Sequence, residues 1–159
     1  MFGLLTKIHL HLLTMHLKEA IRKLVHFALT DKTTNNKIVS LGKLSSSEAD
    51  ILLAKTGIDL NGYERIIDKS AIKHILKKNG NIAAETLRGQ IAVCSDDFEK
   101  IPEIVKSENV IFSGVNKIGR NCLLYEAVID QTFYYVEEIR TGKKHLAMNT
   151  LYKRKIKSQ

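Results

Sequence analysis

The segment Ser70-Ala71-Ile72-Lys73-His74-Ile75-Leu76-Lys77-Lys78 sets the one histidine between positions 27 and 144 among three lysines. Near the end of the chain a second string, Thr150-Leu151-Tyr152-Lys153-Arg154-Lys155, puts hydroxyls beside cations. Together these residue types could cleave RNA without a metal. That reaction needs a base for the 2′-hydroxyl, an acid for the leaving 5′-oxygen, cations on the phosphoryl oxygens and a surface that holds the nucleotide. His74 is the candidate acid or base, because histidine is the side chain whose unperturbed titration falls near neutrality. A lone helix histidine is more often packed or solvated, and that reading stands beside the catalytic one. Thr150 and Tyr152 share a strand parity and so project to one face, where they can orient a phosphate or nucleobase, while Leu151 and Lys153 point to the other. Thr and Tyr are also ordinary strand formers, so the two readings of this pair weigh equally. Lys117, Arg120 and Arg140 fall in or beside turns, and with Lys78 and Lys153 they complete a predicted phosphate- and RNA-binding set. His145, at the start of the last strand, is a weaker catalytic candidate, since exposure alone accounts for it.

The chain has 159 residues and a formal charge of +8. Such a balance favours a polyanionic partner, because clustered Lys and Arg displace counterions from phosphates. The excess has an address. Between Lys143 and Lys157 there are six Lys or Arg and no Asp or Glu. Asp96, Asp97 and Glu99 lack a second acidic cluster, so helix capping explains them better than a two-metal site, and neither metal nor cofactor is expected. Cys94 and Cys122 have no CxxC spacing and no nearby histidine, which argues against zinc and against a disulfide framework. A bridge between the two stays open on sequence grounds.

Periodicity supplies the elements that must position these groups. Leu10, Leu13, Leu17, Ile21, Leu24 and Ala28 recur at helical spacing and predict an amphipathic helix seeking a partner surface. Charged residues from Lys7 to Lys23 leave no run of about 18 apolar residues, so no membrane span is expected, and no secretory cleavage motif follows. A cytoplasmic site of action fits this pattern and the cysteine usage. His9 and His11 lie about 200° apart on a helix and cannot share an ion. The polar run Asp31 to Lys37 divides a helical arm, residues 1–36, from the main domain, residues 37–159, and the chain reads as the tail piece of a longer protein. Lys37 to Leu44 reads as a strand bulged at Gly42. Ser45 to Glu48 is a capping box for a helix stopped by Gly57, and Tyr63 to Ile67 is a second short strand. Lys69-Ser70 should cap the His74 helix, with Asn79-Gly80 as its left-handed stop. Residues 83–93 favour helix in their first half and strand in their second, and Ser95 to Val105 reads as a capped helix carrying Pro102 early. After Asn109 the period becomes extended, giving strands near residues 110–112, 122–129, 132–139 and 144–156 on short turns. The predicted class is α+β, with N-terminal helices packed on a four-stranded antiparallel β-meander.

These residues resemble the phage-associated nuclease domains of the barnase, EndoU, colicin and RelE-like fold. The likeness runs from about Ile38 to Ile156 and rests on Leu41-Gly42-Lys43-Leu44, on Ile72 to Lys78, on Asp97-Phe98-Glu99-Lys100-Ile101-Pro102 and on Asn149-Thr150-Leu151-Tyr152-Lys153. It implies helices before a four-stranded antiparallel sheet and metal-independent cleavage of RNA, with His74, Thr150 and Tyr152 as catalytic residues and Lys78 as a supporting cation. It also implies a phage or mobile-element toxin with an acidic immunity or antitoxin partner. The N-terminal helix adds a homo-oligomer to the expected partners. One departure stands out: where family members often carry a second histidine after the lysine pair, this chain has Asn79. A noncatalytic nucleic-acid-binding or virion-associated module is the alternative reading.

Overall fold

The computed structural model describes residues 2–157. Its elements in order are α1 (Phe2–Thr30), β1 (Ile38–Lys43), α2 (Ser46–Thr56), β2 (Glu64–Asp68), α3 (Lys69–Asn79) and α4 (Ile82–Leu87), a 3-10 turn (Ser95–Lys100), then α5 (Ile101–Ile104), β3 (Val110–Val115), β4 (Asn121–Ile129), β5 (Gln131–Arg140) and β6 (His145–Arg154). The α+β class and the closing meander are as the sequence reads. The sheet is wider than four strands. Its order is β1-β2-β6-β5-β4-β3, because the two short upstream strands join the meander through a parallel pairing of β2 with β6. Parallel pairing needs a long crossover, and the whole stretch from α3 to β5 provides it.

Local chemistry sets the boundaries. Ser45 and Glu48 exchange the two hydrogen bonds of a capping box at the start of α2, and Gly57, at φ 77°, closes it. Gly42 sits at the β1 bulge with φ 95°. The cap of α3 is Asp68 rather than Ser70: the Asp68 carboxylate accepts from the amide of Ala71 and from the Ser70 hydroxyl. Gly80 does not adopt the left-handed stop. Its φ is −94°, and glycine is needed there because a Cβ would lie 2.3 Å from the Leu76 carbonyl oxygen. The ambiguous stretch divides as its composition suggested, α4 in its first half and a bridge from Ile91 to Lys153 in its second.

One face of the sheet holds the core. Leu123, Tyr125, Phe133, Tyr135, Leu146, Met148 and Leu151 point inward from β4, β5 and β6, and Ile72 and Ile75 of α3 and Phe98, Ile101 and Ile104 of the following turns cover them. The second half of α1 belongs to this core, with Ile21, Leu24, Val25 and Ala28 buried, so packing crosses the sequence division at residue 36. Its first half leaves Leu4, Ile8, Leu10, Leu12, Leu13 and Met15 exposed. A buried ammonium anchors the connection from α1 to β1. Lys69 Nζ is held by the Asp31 carboxylate and the carbonyls of Thr33 and Asn35, 5.0 Å from the Phe27 ring centre. The contact with Lys69, helped by Thr33, lowers the Asp31 carboxyl to about 2.

Full burial of an aliphatic side chain contributes about 1.5–3 kcal/mol. Leu24→Ala should therefore cost about 2–5 kcal/mol, read as a lower urea midpoint, whereas Leu12→Ala, on the exposed half of the same helix, should leave the midpoint within error. An equal, small effect of both would mean that α1 is detached from the domain.

Candidate nucleic-acid interface on the open sheet face

The opposite face of the sheet carries no helix of its own, and its residues follow from register. From β5 come Thr132, Tyr134, Val136, Glu138 and Arg140; opposite them stand Val128, Leu124, Glu126 and Cys122 of β4 and Arg154, Tyr152 and Thr150 of β6. A bulge at Asn149 shifts the register of β6 between Val136 and Glu137. The shift has a chemical consequence. Without it His145 would share the core parity of Leu151, but with it His145 pairs with Arg140 on the open face.

Glu138 is the centre of the upper part of this face. One carboxylate oxygen accepts from Arg120 and, at 3.4 Å, from Arg140, and the other accepts from the Asn149 amide at 3.3 Å. Arg140 also reaches Asp68 at 3.5 Å. The Glu138 side chain is 8% exposed, against 41% for Arg120 and 27% for Arg140, so a buried anion sits under two cations that solvent still reaches. Burial pushes the Glu138 carboxyl up, but the Arg120 hydrogen bond, the Arg140 charge and the Asn149 amide outweigh it and hold the group below the ordinary range. His145 lies beside this cluster, its Nε2 3.8 Å from a carboxylate oxygen of Glu64.

The lower part is aromatic. Tyr134 and Tyr152 stack across the strands with ring centres 4.8 Å apart and planes 10° from parallel. The Arg154 guanidinium stands 5.6 Å and 6.0 Å from the two ring centres. Burial raises both phenol pKa values, and the Arg154 charge offsets part of that rise.

The residues named from sequence are distributed as follows. Tyr152 and Thr150 share the open face, and the Thr150 hydroxyl accepts from the Asn79 amide at 3.2 Å. Asn79 also donates to the Leu151 carbonyl at 3.0 Å, which seals the β6 edge beyond the end of β2. Asn79, not His74, is thus the α3 residue whose side chain hydrogen-bonds to β6. His74 is exposed, has no hydrogen-bond or ion-pair partner among the described residues, and lies about 140° around the helix from Asn79. Lys78 is exposed on the same helix, and Lys117 is exposed in the β3–β4 turn. Arg120, just before β4, and Arg140, the last residue of β5, meet at Glu138 at one end of the antiparallel pair. Lys153 does not face the open side of the sheet. Its parity turns it to the core, where its Nζ sits 2.9 Å from Asp97 and 5.9 Å from the Phe133 ring centre. Glu138, Asn149 and Asp68 were not singled out from sequence. The available signal was Glu138 on the strand face it shares with Tyr134, between two turn arginines.

Both cysteines are free thiols. Among the described residues no group of three or more His, Cys, Asp or Glu could hold a metal ion, and no helix is long and apolar enough to cross a membrane.

A family model described as phage-Barnase-EndoU-ColicinE5/D-RelE like nuclease3 matches residues 42–159. The chain belongs to that family. Neither the curated proteins nor the solved structures compared with it give a match. Membership makes the chain a phage BECR-type nuclease, with nucleic acid as its substrate, and the matched span begins in β1 and contains all of β2 to β6.

The lowered Glu138 pKa sets the sign of one measurable effect. Its stabilisation is complete above the unfolded value near 4.5 and is lost as pH falls through the depressed native value. Glu138→Gln should therefore remove part of the loss in urea midpoint between pH 5 and pH 2.5. An unchanged acid limb would show that the two arginines do not hold Glu138 in solution.

Proposed function

We propose that the chain is a metal-independent endoribonuclease whose cleavage centre is the Glu138, Arg120, Arg140 and His145 cluster. The observation that carries this reading is a buried carboxylate held as an anion under two partly exposed guanidiniums, with a histidine on the same uncovered face. His145 is the diagonal cross-strand neighbour of Glu138, so the two side chains start about 7–8 Å apart and a phosphodiester fits between them. Glu138 takes the 2′-hydroxyl proton as that oxygen bonds to phosphorus. The bond from phosphorus to the 5′-oxygen breaks, and protonated His145 gives its proton to the departing oxygen. A 2′,3′-cyclic phosphate and a free 5′-hydroxyl result. A phosphate that draws Arg120 and Arg140 onto its oxygens also takes them off Glu138, which raises the basicity of the carboxylate when it is needed. Thr150 and Tyr152 orient the nucleotide beside the centre.

In this reading the acid is His145 rather than His74. The further expectations, a toxin acting on RNA in a cytoplasm, an acidic antidote that covers the cationic face, and self-association through α1, belong to the same proposal.

Incubation with total RNA in EDTA should yield cyclic-phosphate ends, and an oligonucleotide with 2′-deoxyribose at the cut position should resist. Glu138→Gln and His145→Ala should each lower the rate about 100-fold or more, and His74→Ala should stay within about threefold of the parent. Loss with His74→Ala but not His145→Ala would move the centre to α3. Tight binding without turnover, steeply dependent on salt, would favour the noncatalytic nucleic-acid-binding module.

A further inference from the structure

At the end of β6 the open face continues into a groove of about 770 Å³. Ile82 of α4 and the segment Ile91-Ala92 form its apolar side, and Arg154, Lys155 and Lys157 form the other. Among the described residues no carboxylate lines it and none of the three cations has an ion-pair partner. Arg154 belongs both to this groove and to the Tyr134–Tyr152 stack, so platform and groove are one continuous surface. Its wall is fixed, because the Ile91 amide donates to the Lys153 carbonyl at 2.9 Å and the Val93 amide to the Asn79 carbonyl at 2.8 Å.

Aromatic rings, a stacking guanidinium and uncompensated cations beside an apolar wall are the chemistry that receives unpaired nucleotides. Base faces stack on rings, and phosphates track the cations. A duplex keeps its base faces covered and can use the cations alone. We propose that the Tyr134, Tyr152 and Arg154 platform, with the groove between α4 and the residues after β6, is a subsite for unpaired nucleotides flanking the cleavage position. It makes the enzyme selective for single-stranded segments that extend past the cut. The proposal rests on the nuclease reading for its role, but its binding is measurable without catalysis.

Fluorescence anisotropy with 2′-O-methyl RNA, which cannot be cleaved through its 2′-oxygen, gives the test. Single strands of two, four and eight nucleotides and an eight-base-pair duplex serve as probes. Affinity should rise with single-strand length and exceed that for the duplex about tenfold. The triple substitution R154A/K155A/K157A should reduce the salt slope by about 2, following a loss of about 0.7 per phosphate contact on single strands. Tyr152→Ala should weaken single-strand binding about tenfold and duplex binding little. Lys55→Ala, an exposed cation on α2, should change neither. Equal affinity for duplex and single strand, or a triple variant with the parental slope, overturns the subsite. Binding that follows these expectations in a protein that never cleaves RNA overturns the cleavage reading instead and leaves the single-strand surface standing.

Discussion

Two consecutive carboxylates in the middle of β5 set the conditions that the rest of the fold must meet. Glu137 and Glu138 point to opposite faces of the sheet and are both buried. An unpaired carboxylate in either place would be prohibitively unstable, so each face must deliver a cation. On the core side Arg65 of β2 bonds Glu137 at 2.6 Å, touches the Tyr125 hydroxyl at 3.1 Å and reaches Glu48 of α2 at 3.3 Å. Burial alone would lower the Arg65 pKa, but the Glu137 charge keeps it raised. On the open side Arg120 and Arg140 do the same for Glu138, and Asp68 of β2 steadies Arg140. Strand β2 is only five residues long, yet it serves both faces. Its parallel pairing with β6 is what brings Arg65 and Asp68 to β5.

The brevity of β2 creates a second demand, because β6 runs on past it and would expose a row of unpaired backbone groups. Helix α3 begins directly where β2 stops and carries the answer at its far end. Asn79 takes the Leu151 carbonyl and the Thr150 hydroxyl, and the Asn79 carbonyl takes the Val93 amide. Asn79 is thus a seal on the free edge of β6. A buried asparagine with both ends of its amide engaged suits that task, since it carries no charge to desolvate.

Much of this was legible in the residues. The start and stop of α2, the bulge at Gly42, the four meander strands and the opposite facings of Thr150 and Lys153 follow from capping chemistry and period two. That parity alone argued against Lys153 as a phosphate ligand, because a cation facing the core needs a partner there, and Asp97 is it. What could not be read was long range. The pairing of β2 with β6 joins residues distant in sequence, and no local signal announces it. The Asn149 bulge inverts the facing of everything before it in β6, so parity read along the sequence does not place His145 on the open face. The histidine on α3 drew attention because its neighbours in sequence were lysines. Its neighbours in space are solvent and the outer surface of the helix.

The net charge of the chain takes on a different meaning once its partners are counted one by one. Arg65, Lys69, Arg120, Arg140 and Lys153 are each tied to a carboxylate, and Lys18 and Arg22 fasten α1 to Glu103 and Glu99. These cations hold the fold. Those without an ion pair among the described residues include Arg154, Lys155 and Lys157 at one end of the open face, and Lys77, Lys78 and Lys117 elsewhere on the surface. A polyanion is therefore drawn by a surface that is only partly contiguous with the Glu138 centre. In the proposed reading its path to that centre runs along β6 past the two stacked tyrosines. In the proposed reading the sheet gives the substrate a direction: β6 carries His145 at its start and Arg154 at its end, with Lys155 and Lys157 just beyond.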